Sequence, residues 1–129
     1  MQARSDPAVV SWLDRQPAES VSITSVTLFE TQFGLALLPD GERRKLLEER
    51  FVQLLEEDLE GRVLLFDRPA ASKSSELAAR RQRAGRTIDM RDTFIAGIVL
   101  SRKATLATRN TRHFDDLSVP VVNPWASGD

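Results

Sequence analysis

The stretch "RTIDMRDTFIAGIVLSRKATLATRNTRHF", residues 86–114, decides how this chain folds. It holds an apolar run, "FIAGIVL", with an acid, Asp92, just ahead of it, and a shorter run, "ATLAT", with an amide, Asn110, just behind. The first run predicts a helix over residues 92–103, which Asp89 can cap. The second predicts a strand over residues 104–110. Asp92 then stands at the mouth of a buried helix, and Asn110 at the exit of the strand that follows.

The same alternation continues on both sides. "DPAVVSWLDRQ" predicts a helix over residues 6–16, with Asp6 as cap and Pro7 in its first turn. β-Branched residues predict a strand over 21–25. Apolar residues at helical spacing follow and end at the turn Pro39-Asp40-Gly41. A long amphipathic helix begins after it and is closed by Gly61. "RVLLFD" predicts a strand, residues 70–85 a helix stopped by Gly85, and "VPVVNPW" a last short strand ending at Pro124. Strands alternating with helices argue for an α/β fold with a mostly parallel central sheet flanked by helices. In such sheets the working residues gather where strands end and the next helices begin, so Asp92 and Asn110 are expected at one sheet edge.

With 129 residues the chain is long enough for one domain, expected over 1–129, and short for two. No apolar run approaches the roughly 18 residues that span a bilayer, so no membrane contact is expected. The opening residues show no apolar signal region. Cysteine is absent, which excludes disulfides and thiol chemistry and fits a reducing, cytoplasmic location. A single histidine, His113, excludes zinc sites built from several His or Cys ligands. Any metal must be held by oxygen, which points to Mg²⁺ or Mn²⁺. No Walker-type phosphate loop and no nucleophile elbow occur.

Charge is unevenly spread. From Arg80 to Arg112 there are nine Lys/Arg against two acids, a net +7, so the rest of the chain carries −8. Such a window suits either a polyanion contact or a solvated helix surface.

Glu30 joins the polar set, expected in the first turn of the helix after strand 21–25. A structural reading stands beside the functional one: Thr27 and Glu30 have the form of a capping box, and Asp92 can serve the helix dipole. Taken together, two acids and an amide at one edge call for a divalent cation, since clustered carboxylates repel. With a phosphodiester as substrate, such an ion assists hydrolysis. His113 has two readings, a general base or a structural or phosphate-contacting residue. Gly97 is expected at a close helix–sheet contact.

"SVTLFETQFGLALLPDG", "IDMRDTFIAGIVL", "TLATRNTRHFDDL" and "VPVVNPW" resemble, in order and spacing, the PIN-domain toxins of toxin–antitoxin pairs, closest to the VapC/FitB type. The resemblance implies a PIN fold, a Mg²⁺- or Mn²⁺-dependent endoribonuclease acting on RNA, and a VapB/FitA-like antitoxin partner, as a homodimer or a toxin–antitoxin hetero-oligomer. It assigns Glu30 and Asp92 to metal and catalysis. Asn110 falls where some members carry a further Asp, and His113 where others do; Asp115 and Asp116 are poorly aligned substitutes for that acid. Arg83, Arg86, Arg109 and Arg112 are assigned to RNA phosphates, with the antitoxin or solvent as the alternative they could face. Phe94 stands where a small or polar residue is common. The family's first strand, ending in "DTN", has no counterpart here, so the first strand and its Asp are expected to be missing. The rival expectation is therefore a truncated, catalytically inactive module that captures an antitoxin.

Overall fold

The computed structural model describes Ser11, residues 15–17 and residues 20–125. The helix expected over 6–16 lies outside the described residues. The chain forms two compact units, Met1–Leu64 and Leu65–Asp129.

In the first unit, strand β1 (Ile23–Thr24) leads directly into helix α1 (Ser25–Ala36). The strand is shorter than expected because Thr24 is already the N-cap: its Oγ1 accepts from the backbone N–H of Thr27 at 3.0 Å. Helix α2 (Glu42–Gln53) continues into a π-helical turn, Leu54–Asp58. Two successive left-handed residues, Glu60 at φ 50° and Gly61 at φ 69°, end it, the glycine standing where the sequence places it. Strand β2 (Val63–Leu64) pairs parallel with β1, Ile23 opposite Val63. Leu35, Leu47 and Phe51 form the core of this unit, with Ile23, Leu28, Leu38 and Leu54 packed on it.

In the second unit, Asp67 caps helix α3 (Arg68–Arg83) by accepting from the Ala70 N–H. Helix α4 (Met90–Ser101) packs against α3. The contact is close at Gly97, where a Cβ would overlap Ser74 Oγ and stand 2.5 Å from the Ala70 carbonyl oxygen. Gly97 thus serves a helix–helix approach, not the expected helix–sheet one. Ser74 Oγ donates to the Thr93 carbonyl across the same contact.

Strand β3 (Leu106–Ala107) pairs parallel with β4 (Val121–Val122), and a four-residue 3₁₀ turn, Thr111–Phe114, lies between them. The expected strand 104–110 shrinks because its flanking N–H groups bond elsewhere, Ala104 to the Val99 carbonyl and Asn110 to Thr108 Oγ1. Leu77, Ala96, Val99, Leu106 and Phe114 form the core. Phe94 gains its reason here: its ring packs on Phe66 at a centroid distance of 4.5 Å.

Each unit therefore carries one parallel strand pair with helices, the α/β pattern expected. Among the described residues no helix is long and apolar enough to cross a membrane.

Candidate functional site

Asp92 occupies the first turn of α4, and Asp89 is the N-cap, its carboxylate accepting from the Asp92 N–H at 3.1 Å. Thr93, buried at the next position, donates its hydroxyl to the Asp89 carbonyl. These bonds satisfy the open end of the helix and leave the Asp92 carboxylate facing outward, with its side chain 22% exposed.

What meets it is His113. The imidazole Nδ1 lies 2.8 Å from Asp92 Oδ2 and, as the donor, leaves Nε2 without a hydrogen-bond partner among the described residues. The His113 side chain is 56% exposed. A carboxylate bonded to one ring nitrogen fixes the direction in which the other points.

The turn that carries His113 is held from behind. Arg81, on the last turn of α3 and only 4% exposed, grips Asp116 with two bonds, Nε to Oδ2 at 2.9 Å and Nη2 to Oδ1 at 2.8 Å. The same Nη2 donates to the His113 carbonyl at 2.8 Å. The hydrogen bond from Arg81 holds the Asp116 carboxyl below its ordinary value, and the bond to Asp116 raises the Arg81 guanidinium further. Arg86 adds bonds to Asp115 and Asp116. The two acids are counterions of Arg81 and Arg86.

Asn110 is exposed and precedes the 3₁₀ turn; its side chain makes no capping bond. Arg112, on the turn itself, is exposed and lines an open cavity of about 370 Å³ with Phe114, Leu117 and Val121. Arg109 lies over the Trp125 ring, 4.8 Å from its centroid, a cation–π placement. Arg83 is exposed on α3. The basic window is thus less free than its sequence suggests. Arg81 and Arg86 are neutralised by Asp116 and Asp115, and Arg102 by Asp67. All three acids lie outside the window.

Glu30, in the first unit, is half-buried on α1. Its capping-box reading is corrected: Thr24 caps the helix, and α1 has no acid in its first turn. Glu30 sits in the second turn, where a helix end does not account for it.

Sequence reasoning missed three features of the second unit: the Asp92–His113 pair, the Arg81–Asp116 grip behind it, and Trp125 under Arg109. The first two join residues 21 and 35 positions apart. Only "RNTRHFDD" gave a signal, by placing a histidine and two acids in one turn.

Among the described residues no group of three or more carboxylates and imidazoles gathers into a metal cage. One carboxylate still fits a hydrated Mg²⁺, which keeps several waters and is often held through one or two carboxylates. Oxygen donors also suit Mn²⁺.

The chain matches the PIN domain over residues 4–119. It is 34% identical to the VapC ribonuclease Y4jK of Sinorhizobium fredii over 124 residues, 96% of this chain and 89% of that protein. It is 35% identical to Toxin FitB of Neisseria gonorrhoeae, over 91% of this chain and 84% of FitB. Its fold is similar to a chain in the structure of FitAB bound to an IR36 DNA fragment, with a TM-score of 0.86 and 32% identity, covering 99% of this chain and 90% of that one. The chain belongs to the PIN-domain family, and within it to the VapC/FitB type.

Proposed function

We propose that this protein is a ribonuclease toxin that cuts RNA phosphodiester bonds and is neutralised by an antitoxin of the VapB/FitA kind. The observation that carries the reading is the Asp92–His113 pair, a first-turn carboxylate and an exposed imidazole joined at 2.8 Å in a chain of this family. Asp92 is the principal carboxylate of the reaction, and Glu30 is a further one, assigned by the resemblance of the sequence. The same resemblance assigns each of them to metal, a Mg²⁺ or Mn²⁺ ion. When bound, the ion supplies charge stabilisation to the phosphate oxygens as the bond breaks.

The chain's own groups do the remaining work. Asn110, the third residue assigned to catalysis, orients water or metal by hydrogen bonding through its amide, which donates and accepts. Arg112 and Arg83, without a carboxylate partner among the described residues, attract the RNA backbone. Arg109 contributes from over the Trp125 face, and Arg86 less, because Asp115 and Asp116 neutralise it.

The antitoxin reading is supported in the first unit by Phe29, Phe33 and Leu37. Phe29 and Phe33, one helical turn apart on α1 with their rings stacked, form an exposed stripe with Leu37 at the C-cap. A second reading, an inactive module that only captures the antitoxin, is favoured by the neutral Asn110 where an acid occurs in other members.

Incubation with single-stranded RNA in Mg²⁺ or Mn²⁺, with and without chelator, tests the proposal. Cleavage that stops with chelator supports the ribonuclease. Intact RNA together with tight binding of an amphipathic antitoxin helix selects the second reading.

A further inference from the structure

We propose that Arg81 is a positioning residue for the proposed RNA-cutting site: it clamps the 3₁₀ turn after β3 so that the His113 imidazole is set against the Asp92 carboxylate. The inference rests on the ribonuclease reading for its functional consequence and on the geometry of the second unit for its cause.

The turn is short and takes much of its support from outside. It is four residues long and has no side-chain cap. Besides the bonds within the 3₁₀ segment, His113 N–H donates to the Asn110 carbonyl at 3.0 Å and Leu117 N–H to the Phe114 carbonyl at 3.3 Å. Such short 3₁₀ segments have poor hydrogen-bond geometry and take their shape from what holds them. Two anchors do so here. Phe114 is sunk into the core at 3% exposure. Arg81 binds on either side of it, at the His113 carbonyl and at both oxygens of Asp116.

The anchor is an expensive one if stability were its only use. Burying a guanidinium and a carboxylate carries a desolvation cost that their attraction roughly offsets, and an apolar pair of similar volume is often as stable. What the fork of Arg81 adds is direction. Planar, with its donors at fixed angles, it sets two points of the turn at once, which lysine cannot do. His113 lies on the turn it fixes, and the imidazole reaches Asp92 Oδ2 at 2.8 Å. The path runs from α3 through the turn to α4, from Arg81 to His113 to Asp92. A displacement near 1 Å at a reacting group can cost about 10²-fold in rate.

His113 is the chain's only histidine, so its ring resonances in ¹⁵N-edited NMR of the untagged full chain are unambiguous. Asp92→Asn should move the Nδ1 resonance away from its carboxylate-bonded position. Arg81→Lys should move it in the same direction while the rest of the spectrum stays folded, and Asp116→Asn should do so to a smaller extent. If Arg81→Lys does not fold, Asp116→Asn decides alone. On single-stranded RNA, Arg81→Lys should lower kcat about tenfold or more with KM little changed, and the loss should vanish in a His113→Ala background. A His113 resonance unmoved in the folded variant overturns the proposal, as does an equal kcat loss with and without His113. RNA left uncut by the wild type counts against the ribonuclease reading, and the His113 resonance still decides whether Arg81 sets the pair.

Discussion

His113 Nδ1 lies 2.8 Å from Asp92 Oδ2, joining the turn after β3 to the first turn of α4. The bond ties the one histidine of the chain to an acid whose place at a helix start is explained equally well by the helix dipole. A dipole partner needs no imidazole against it. The pairing supports a chemical reading of Asp92 beside the structural one.

The cap beneath the pair can be measured. Asp89→Ala removes the acceptor of the Asp92 N–H and should lower stability by about 0.5–2 kcal/mol. Urea unfolding should show this as a lower midpoint with the same slope.

Gly97 tests the α3–α4 contact. A methyl group there meets Ser74 Oγ and the Ala70 carbonyl, and the carbonyl belongs to a helix backbone that yields little. Gly97→Ala should destabilise the protein by about 1–3 kcal/mol, although alanine is the better helix former. A rise in melting temperature would mean that the helices are not in contact at this point.

Asp116 should make part of the stability depend on acid. Its carboxyl is held below its ordinary value by the hydrogen bond from Arg81. Its contribution is therefore complete above the ordinary carboxylate range and is lost as pH falls through the lowered folded value. Asp116→Asn should cost up to about 3–5 kcal/mol near neutral pH, because it leaves Arg81 buried without its charge partner. The gap between wild type and variant should close in acid below about pH 4. Melting curves from pH 7 to pH 2.5 follow it.

RNA affinity should report which arginines are free. Each phosphate contact on a single strand adds about 0.7 to the log–log salt slope. Arg112→Ala should flatten the slope by about that amount. Arg86→Ala should change it less, since Asp115 and Asp116 already neutralise Arg86.

Local patterns were the legible part of this fold. Helix α4 with its Asp89 cap, the glycine that ends the π-helical turn, and the parallel α/β alternation all follow from periodicity and end signals spaced a few residues apart. Glu30 was misplaced because two threonines, Thr24 and Thr27, could each cap α1, and the earlier one does. The basic window is freer along the chain than in the fold, because Asp67, Asp115 and Asp116 reach it through folding. The Asp92–His113 pair joins residues far apart in sequence, and no local rule of spacing could place one against the other.

The most direct test of the central claim compares wild type with Asp92→Asn on single-stranded RNA in Mg²⁺ or Mn²⁺, with melting curves taken on both proteins. The account predicts cleavage by the wild type, its loss in the variant, and a stability change no larger than the 0.3–1 kcal/mol or so of a dipole partner. Equal cleavage by the two folded proteins, or intact RNA with both, would contradict it.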